Sequence, residues 1–585
     1  MVIHKSMKHK YSMVCLLTAL AAIILAGCSS RKKPLVIRIV STSDIHGRIF
    51  DTDCLTGELR EGSMAKFSTF LNRQRKEYKN VIYLDAGDML QGTIDVYQDV
   101  TAQYDRPSLP AEAFNYLDCF ATVMGNHDFA VGMESYLRYF RSLNCPVLGA
   151  NVYFEKPGDF LPPYRMRDIN GLRIAILGMS TPLSIYQLPA DRLDLELDEI
   201  VESAKYWMPI LKEKEEADMV IGLFHSGYDG GRSDDGLNEN VVRKIISEVP
   251  GFDIIVYGHD HRARCLKMAD CNGDSVLMLD TGPFMTNAGV ATITVTADEK
   301  NNPIISTSGE IVNITGEVPD KRFVKELSGW YKDLNQYADS VVTTLSTPLD
   351  ADGILWGGCS MTDMIHSVQM GFSGAEISLA WPLFTKPVFP AGDLHMRDVF
   401  ELNSTDYMMV SVMMKGSEVV WILENSASQF YNTVTDGNGG MLKTRKAANS
   451  EVNLPRRSVS SLVTAAGIDY EIDVTKPEGS RVHVVSMSDG KPFDPSRMYR
   501  TIINSNQYSG TSLPRILGIT PDEMRSRLNN SSPADLRFYM ITDLALSKES
   551  GVPYSARSSY RYRLVPQDIV SGCLAKDTVN FNIMQ

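Results

Sequence analysis

Five short polar clusters in the first half of the chain carry side chains suited to metal chemistry. Five of the ten histidines of the chain fall within them. Imidazole, carboxylate and amide oxygen are ligands of divalent ions such as Zn, Mn or Fe. The clusters are Ser43-Asp44-Ile45-His46-Gly47, Asp85-Ala86-Gly87-Asp88, Gly125-Asn126-His127-Asp128, His225-Ser226-Gly227 and Gly258-His259-Asp260-His261.

The number of candidate ligands indicates more than one ion. Seven ligands are too many for one tetrahedral ion, but they fit two ions that share a carboxylate. Paired ions clamp both sides of an in-line phosphoryl displacement and activate water. Each cluster alone also fits an ordinary turn or a satisfied polar contact. Only the full ordered set predicts a two-metal hydrolytic centre.

Each polar cluster follows an apolar segment that predicts a β-strand. Amphipathic helices separate these segments, for example residues 63–78, and this alternation predicts an α/β domain. Ligands of open α/β sheets bind beyond the carboxyl ends of the strands, so we expect all five clusters at one rim. The predicted strands are residues 35–40, 81–84, 120–124, 219–224 and 254–257.

The length of 585 residues predicts two to four domains. We place a catalytic domain at residues 34–317 and a second globular domain at residues 346–575. Between them, residues 318–345 predict a linker helix, with one long polar helix from Lys321 to Val342. The remaining histidines of the second domain, His366, His395 and His483, are scattered and predict ordinary core or surface positions.

The first 27 residues predict a signal peptide rather than part of the fold. A basic start precedes an apolar run too short for a comfortable membrane span. The run ends in Leu25-Ala26-Gly27-Cys28, which resembles a bacterial lipobox and implies cleavage before Cys28 and lipid attachment to its thiol. The alternative is a single N-terminal anchor helix. We expect a membrane-anchored envelope lipoprotein that faces the periplasm.

The charge and the cysteine content of the chain bear on its partners and its disulfides. The formal net charge of -13 argues against a nucleic-acid polymer as partner, because phosphate backbones need Lys and Arg. Seven cysteines follow Cys28, and outside the cytoplasm an odd number leaves at least one unpaired. Cys265 and Cys271 are close enough in sequence to close a small disulfide loop, and the sequence leaves this pairing open.

The ordered clusters resemble the calcineurin-like metallophosphoesterases, in particular the 5′-nucleotidase and 2′,3′-cyclic-nucleotide 2′-phosphodiesterase family. His225-Ser226-Gly227 followed by Glu239-Asn240 resembles the cyclic phosphodiesterase branch. The resemblance implies a four-layer α/β/β/α sandwich followed by an α/β substrate-binding domain of the 5′-nucleotidase type. The second domain resembles that family at residues 375–380, 392–394, 415–418, 423–426, 466–470 and 499–505.

The resemblance also implies a role for each residue of the clusters. One ion would be held by Asp44, His46, Asp88 and His261, and the other by Asp88, Asn126, His225 and His259, with Asp88 as the bridge. His127 would face the phosphate together with Asn126, and would stabilise the transition state or protonate the leaving oxygen. Asp85 and Asp128 could orient ligand histidines or have a plain structural role.

The chain departs from the family pattern in three places. Ala130 stands where 5′-nucleotidases have the Asp that pairs with the catalytic His, and the cyclic phosphodiesterase branch also lacks that Asp. Residues 381–385 lack the Arg of the family's substrate loop, and residues 506–511 contain one Gly in place of a Gly-rich loop. Tyr431 or Tyr508 could stack on a base.

The function expected from the sequence is hydrolysis of a small-molecule phosphoester with two divalent ions. The resemblance favours 2′,3′-cyclic or 3′-nucleotides, with 5′-nucleotides also possible. Because the substrate loops are altered, two alternatives stay open. One is a phosphoesterase acting on a non-nucleotide such as a sugar phosphate. The other is a ligand-binding lipoprotein with vestigial catalysis.

Overall fold

The structure is a computed structural model that describes residues 34–101, 106–154, 161–182, 195–234, 236–298, 302–446, 453–556 and 562–580. The predicted signal peptide and Cys28 lie outside the described residues. Among the described residues, no helix combines the length and apolar character that crossing a membrane requires.

Two six-stranded sheets form the catalytic domain, and each predicted strand lies within one of them. In the first sheet, four neighbouring parallel strands begin with Leu35–Thr42. In spatial order its strands are Pro303–Asn313, Asn287–Ala297, Leu35–Thr42, Val81–Asp85, Ala121–Val123 and Val147–Leu148. The second sheet contains Arg264–Ala269, Ser275–Asp280, Ile254–Tyr257, Met219–His225, Leu172–Ser180 and Tyr164–Ile169.

The two sheets pack face to face, and helices cover both outer faces. Ile39 of the first sheet and Ile221 of the second belong to the same buried cluster between the sheets. Met219–His225 is buried along its whole length because both of its faces are covered, which explains its continuous apolar sequence. These layers confirm the expected α/β/β/α sandwich. Its helices are Met64–Glu77, Ile94–Thr101, Leu109–Tyr116, Asn126–Ala130, Met133–Ser142, Ile200–Pro209 and Val242–Glu248, with a π-helical turn at Ile210–Lys214.

The predicted linker helix is wrong in its extent. Lys321–Glu326 and Ser328–Ala338 are separate helices, and Val341–Leu345 is a strand paired with Gly392–His395. The β-branched residues Val341 to Thr344 favour a strand over a continued helix. The apolar residues Phe323 and Leu334 of this segment are buried.

The C-terminal domain is built on a mixed five-stranded sheet and a smaller three-stranded sheet. The larger sheet runs in the order Thr464–Ala466, Ile377–Ala380, Met498–Asn504, Met408–Lys415 and Leu528–Asp535. The smaller one contains Val482–Met487, Ile468–Asp473 and Arg563–Val565. The helices are Ser360–Ser373, Met396–Leu402, Gly416–Phe430, Ser505–Ser509, Ser512–Leu517, Pro521–Ser526, Leu536–Glu549 and Gln567–Asn580, with a 3₁₀ turn at Val459–Ser461.

Short two-stranded ribbons complete the described structure. They are Val152–Phe154 with Leu195–Leu197, Ser233–Asp234 with Leu237–Asn238, Leu349–Asp350 with Val388–Phe389, and Thr444–Lys446 with Asn453–Pro455. Cys265 lies near the start of the edge strand Arg264–Ala269, and Cys271 lies in the turn between this strand and Ser275–Asp280. Both thiols are exposed and free, so the structure does not contain the disulfide considered above.

Candidate metal centre

The five polar clusters lie together at the carboxyl ends of parallel strands from both sheets. Asp44 follows Leu35–Thr42 and Asp88 follows the neighbouring strand Val81–Asp85. In the second sheet, His225 ends one strand and His259 follows the parallel neighbour Ile254–Tyr257. Because the sheets pack face to face, these ends form the single rim predicted from the sequence.

One group of ligand atoms consists of Asp44, His46 and His261. Their ligand atoms all lie within 4.8 Å of one another. The Nε2 atoms of His46 and His261 are 3.1 Å apart, and Nε2 of His261 is 3.5 Å from Oδ1 of Asp44. This spacing matches the set that the family resemblance implies for the first ion, apart from Asp88.

A second group lies beside the first and contains Asp44, Asp88 and His225, again within 4.8 Å of one another. Nε2 of His225 is 3.4 Å from Oδ2 of Asp88 and 3.1 Å from Oδ1 of Asn126. The same amide oxygen is 2.8 Å from Nδ1 of His259. Asp44 therefore contributes to both groups, a contact that the sequence did not indicate.

The position of Asp88 between the two groups suits a bridging ligand. Its Oδ2 atom is 3.4 Å from Nε2 of His225 and 3.9 Å from Nε2 of His46. Its other oxygen accepts the backbone N–H of His127 at 3.0 Å. One carboxylate oxygen thus faces ligands of both groups while the second fixes the backbone beside them.

Hydrogen bonds outside the centre set the orientation of three imidazoles. Nδ1 of His46 is 3.1 Å from the Gln91 carbonyl, and Nδ1 of His225 is 2.7 Å from the Ala86 carbonyl. Nε2 of His259 is 3.1 Å from Oε1 of Glu239. Carbonyl and carboxylate oxygens only accept hydrogen bonds, so these nitrogens carry the hydrogens.

In its neutral form, each of these rings therefore presents a lone pair on the opposite nitrogen to the centre. Those lone pairs face the oxygens of Asp88 and Asn126, which are also acceptors. Acceptors that converge without a donor between them repel, unless a cation or a proton lies among them. The donor set thus fits divalent metal ions on the chemistry of this structure alone.

The electrostatics of the centre also favour bound cations. The Asp44 and Asp88 side chains are buried, at 0% and 1% exposure. Burial opposes ionisation of Asp88, yet His225 and His127 hold its pKa well below the ordinary value. Burial likewise opposes protonation of His225, but Asp88 and Asp44 raise its pKa to about 10. The two carboxylates therefore create a site with a strong preference for positive charge.

Backbone strain is concentrated at the same residues. Asp44, His46, Asp88, His259 and His261 all have φ between 49° and 88°. Residues other than Gly rarely adopt this left-handed region, and each instance costs free energy. Such strain persists where the surrounding structure imposes it, most often at a functional site.

His127 lies beside the centre without joining either group. Its ring centroid is 5.6 Å from that of His46. Desolvation lowers the pKa of His127 to about 4, so its imidazole is neutral near pH 7. His127 thus stands outside both ligand groups, and its expected role toward the substrate stays a prediction.

Asp85 and Asp128 do not orient ligand histidines. Asp128 accepts the backbone N–H groups of Asp88, Met89, Leu90 and Gly125 at 2.6–2.8 Å. Asp85 accepts the hydroxyls of Thr42 and Thr122 and the N–H of Gly87. Both are buried carboxylates that fix the turns after the strands, which is the structural alternative left open above.

Two residues near the centre were not assigned a role from the sequence. Glu239 orients His259, but 20 positions separate them and no local pattern connects the two. Phe284 flanks the centre, with its ring centroid 5.6 Å from His46 and 5.9 Å from His261. The Arg48 guanidinium lies 4.8 Å from that ring centroid. Only the folded chain brings these side chains to the ligands.

The predicted stacking residues lie outside the metal centre. Tyr431 is fully buried, and its hydroxyl bonds to the Leu355 carbonyl and the Tyr562 hydroxyl. Stacking of a base on Tyr431 is therefore wrong for this structure, because no ring face is free. Tyr508 is 7% exposed and belongs to the core of the C-terminal domain.

A polar cavity of about 730 Å³ lies in the C-terminal domain beside the two altered loops. We call it the C-terminal cavity. Trp381 comes from the loop without Arg, and Gln507 from the loop with one Gly. Trp421 is 47% exposed, and its indole N–H bonds to the Ile516 carbonyl. Asn425, Gln429, Arg457 and Arg515 supply further polar lining.

Comparison with protein families agrees with this two-domain organisation. Residues 37–263 match the calcineurin-like phosphoesterase family. Residues 341–513 match the 5′-nucleotidase C-terminal domain. The first match contains all five polar clusters and most strands of the sandwich, and the second contains most of the larger sheet of the second domain.

Curated relatives resemble the chain over most of its length. The 2′,3′-cyclic-nucleotide 2′-phosphodiesterase/3′-nucleotidase of Yersinia enterocolitica is 24% identical, and the match covers 88% of this chain and 87% of that protein. The trifunctional nucleotide phosphoesterase protein YfkN of Bacillus subtilis is 25% identical over 81% of this chain. The chain spans only 36% of the length of YfkN.

Solved structures share the fold. The Haemophilus influenzae NAD nucleotidase has a TM-score of 0.60 at 17% identity, and the match covers 92% of this chain and all of that one. A 5′-nucleotidase precursor from Thermus thermophilus has a TM-score of 0.54 at 19% identity, and the match covers 91% of this chain and all of that one. At these sequence identities, the structural similarity shows that this chain shares their architecture.

Proposed function

Because the chain belongs to the calcineurin-like metallophosphoesterases with a 5′-nucleotidase C-terminal domain, and is a hydrolase, we propose that it hydrolyses nucleotide phosphoesters. The favoured substrates are 2′,3′-cyclic and 3′-nucleotides, with 5′-nucleotides also accepted. The cofactor is a pair of divalent ions, Zn, Mn or Fe.

One observation carries this proposal: two overlapping groups of acceptor atoms face each other around Asp88. Its Oδ2 atom lies within 3.9 Å of a histidine nitrogen from each group. Such a centre suits phosphoryl transfer, in which negative charge collects on the phosphate oxygens. A binding protein without catalysis would gain little from five ligand residues held in strained backbone.

Bound ions would supply positive charge to the phosphoryl oxygens and an activated water. The side chains of the protein supply the metal ligands and the groups that contact the phosphoryl group. Asp88 and Asp44 would hold the ions, and the Asn126 amide is fixed between the His225 and His259 rings. Asn126 and His127 begin the helix Asn126–Ala130, so both can reach a phosphoryl group at its N-terminus.

The surroundings of His127 favour one of its two expected roles. With its pKa lowered to about 4, the free protein holds this imidazole neutral near pH 7. A neutral imidazole can donate an N–H hydrogen bond to the phosphoryl oxygen or the leaving oxygen. We therefore favour transition-state stabilisation through this N–H hydrogen bond; protonation of the leaving oxygen by His127 would first require the ring to take up a proton.

The preference for cyclic and 3′-nucleotides rests on the site and on the relatives. His225 and Glu239 belong to the pattern that resembles the cyclic phosphodiesterase branch, and Glu239 contacts the ligand His259. The Yersinia enterocolitica relative is a cyclic phosphodiesterase and 3′-nucleotidase by name. The C-terminal cavity, with its tryptophans and arginines, suits an anionic substrate with a flat ring.

We also propose that the enzyme is a lipoprotein of the cell envelope, anchored through lipid on Cys28 and facing the periplasm. The lipobox-like sequence Leu25-Ala26-Gly27-Cys28 supports this location. An envelope location would give the site access to nucleotides outside the cytoplasm.

The test measures phosphate release by the soluble chain from residue 31 onward, with added Mn or Zn. The substrates are 2′,3′-cyclic AMP, 3′-AMP, 5′-AMP, UDP-glucose and bis-p-nitrophenyl phosphate. A phosphatase is added where the product is a phosphomonoester. Asp88→Ala is the blank, and His395→Ala is the matched control for His127→Ala, because His395 lies in the C-terminal domain.

We expect turnover of the cyclic and 3′ substrates, and a loss of about 10²- to 10⁴-fold in kcat for His127→Ala. His395→Ala should retain the activity of the unmodified chain. Turnover of the aryl diester alone would keep the metal centre but reject nucleotides in favour of another phosphoester. Activity equal to the blank on every substrate would reject the enzyme and leave the ligand-binding alternative.

A further inference from the structure

The candidate metal centre is exposed on the side of His261, which we call the open face. The His261 side chain is 40% exposed. Exposure is at most 12% for the side chains of Asp44, His46, Asp88, His225 and His259. A substrate has to approach the ligands from a side that protein atoms do not cover, so we expect it to arrive at the open face.

The ring of Phe284 lies at this open face. Phe284 is 38% exposed, and its ring centroid is 5.9 Å from that of His261 and 5.6 Å from that of His46. The ring centroid of His127 is likewise 5.6 Å from that of His46. A phosphoester that met His127 and the ligand residues would therefore lie within reach of the Phe284 ring.

The backbone that places Phe284 there is strained. Phe284 and Met285 both adopt the left-handed region, with φ of 66° and 57°. The N–H of Phe284 donates to the Asp44 carbonyl at 2.8 Å. On the other side, a Cβ atom at Gly62 would lie only 2.2 Å from the Phe284 carbonyl oxygen, so this course of the chain depends on a glycine there.

Burial accounts for the strain at Met285 but not at Phe284. Met285 is 1% exposed, so its packing can offset the cost of its backbone conformation. The Phe284 ring gains less from burial because more than a third of it remains exposed. A strained backbone that presents an aromatic ring beside open ligand residues is typical of a contact with a ligand.

The position of the phosphate on a nucleotide decides which group would meet this ring. In a 2′- or 3′-phosphoester, the ester oxygen is attached directly to the ribose ring, whereas a methylene group separates the two in a 5′-ester. Aromatic faces carry partial negative charge and attract the C–H groups of a sugar. The ribose of a 2′- or 3′-ester would thus lie closer to Phe284 than that of a 5′-ester.

We infer that Phe284 is a specificity-determining residue whose ring contacts the ribose of 2′,3′-cyclic and 3′-nucleotides at the open face. This inference rests on the proposed function for the identity of the sugar. It explains why the chain maintains an exposed phenylalanine in strained backbone next to two of the candidate ligands.

The experiment compares Phe284→Ala and Phe284→Tyr in the soluble chain from residue 31 onward, which contains every described residue. Phe284→Gly tolerates a φ of 66° and serves if Phe284→Ala does not fold. Tyr206→Ala is the matched control, because Tyr206 is an aromatic residue of helix Ile200–Pro209 that is 65% exposed. Circular dichroism checks each variant, and kcat and KM are measured for 2′,3′-cyclic AMP, 3′-AMP and 5′-AMP with added Mn.

A second measurement does not depend on turnover. Calorimetry determines the Kd of 3′-AMP and of inorganic phosphate with added Mn, in the His127→Ala background, where we expect slow hydrolysis. Inorganic phosphate has no sugar and serves as the internal reference. A variant that merely disturbs the metal ligands would change both affinities together, whereas a lost ribose contact changes only that of 3′-AMP.

We expect Phe284→Ala to raise KM about tenfold for 2′,3′-cyclic AMP and 3′-AMP, with kcat and the KM for 5′-AMP within about threefold. The Kd of 3′-AMP should rise about tenfold and that of phosphate should stay within about twofold. Phe284→Tyr and Tyr206→Ala should match the unmodified chain. The inference is overturned if Phe284→Ala, or Phe284→Gly in its place, leaves the ratio of the two Kd values unchanged, or if all three nucleotides are affected alike.

Failure of this inference can be told apart from failure of the proposed function. Hydrolysis of 2′,3′-cyclic AMP with the same KM in Phe284→Ala would reject the ribose contact and keep the enzyme. A Kd of 3′-AMP that rises in Phe284→Ala while that of phosphate does not, without turnover of any phosphoester by the unmodified chain, would reject the enzyme and keep the contact.

Discussion

At the scale of single residues, the metal centre depends on side chains and carbonyls that are not themselves ligands. The Gln91 and Ala86 carbonyls and the Glu239 carboxylate each bind the outer nitrogen of one imidazole. They fix the ring orientation and leave the inner nitrogen free to coordinate. Glu239 differs from the carbonyls because a substitution can remove it.

Glu239→Ala should weaken binding of one metal ion by about 10- to 100-fold, because His259 loses the acceptor that orients it. Glu239→Gln should weaken it less, because the amide oxygen still accepts the hydrogen. Titration calorimetry with Zn or Mn measures both. The matched control is Glu248→Gln, since Glu248 pairs with the surface residue Lys205. Equal affinity in Glu239→Ala and the control would contradict an orienting role.

Metal binding should release about one proton near pH 7. Asp88 and Asp44 raise the pKa of His225 to about 10, above its ordinary 6.5. The metal-free protein therefore holds a proton on His225 at neutral pH, and an ion must displace it. Metal affinity should consequently rise with pH from 6 toward 10. Calorimetry in buffers of different ionisation enthalpy counts the protons, and a heat that is independent of the buffer would refute this assignment.

At the scale of elements, the centre is a set of sharp turns after parallel strands. Asp44, Asp88 and His259 each adopt positive φ directly after a strand. Hydrogen bonds across the turns hold this geometry, since Phe284 donates its N–H to the Asp44 carbonyl and His46 donates to the Asp88 carbonyl. The turns after the first two strands are therefore built as one unit.

Asp128→Asn should disrupt one of these turns. Its carboxylate accepts four backbone N–H groups, including that of Asp88, and an amide has only one accepting oxygen. We expect a loss of about 3 kcal/mol in the free energy of unfolding and about tenfold weaker metal binding. Urea denaturation and calorimetry measure these effects. The control Asp118→Asn changes a carboxylate that is 93% exposed. A variant as stable as this control would show that the turn does not need Asp128.

At the scale of the whole molecule, the two domains meet through direct side-chain contacts. Arg397 of the second domain donates to the Leu55 carbonyl of the first at 2.9 Å. The Tyr97 and Phe400 rings pack edge-on, with Arg537 near both. Of these residues, Tyr97 also lines a cavity of about 330 Å³ between the two domains.

The proposed anchor is testable on the intact chain in a bacterial host. Cys28→Ser should move the protein from the membrane fraction to the soluble fraction or stop its processing, because no thiol remains for the lipid. Cys15→Ser is the matched control, since it changes a cysteine inside the predicted signal peptide. Immunoblots of the fractions and labelling with a radioactive fatty acid measure the outcome. Membrane association and labelling that persist in Cys28→Ser would reject lipidation at this residue.

The sequence alone determined the strands and the polar clusters, whereas the architecture of the catalytic domain was implied by the family resemblance. Strand Ile254–Tyr257 has the predicted bounds, and Met64–Glu77 lies within the predicted helix 63–78. These features are local, because apolar runs and ligand residue types are read from neighbouring positions. The same locality caused the error at Val341–Leu345, where pairing with Gly392–His395 replaces the predicted helix.

Only the tertiary structure decided which residues surround the metal ligands and which aromatic side chains are accessible. Glu239 and Phe284 reach the centre from distant positions, and Asp44 contributes to both ligand groups. Tyr431 is an aromatic residue of a suitable type, but packing buries it completely. A cavity of about 330 Å³ between the domains is formed by side chains more than 270 positions apart, such as Val131 and Met408. No local pattern encodes such contacts, because they arise from the packing of complete domains against each other.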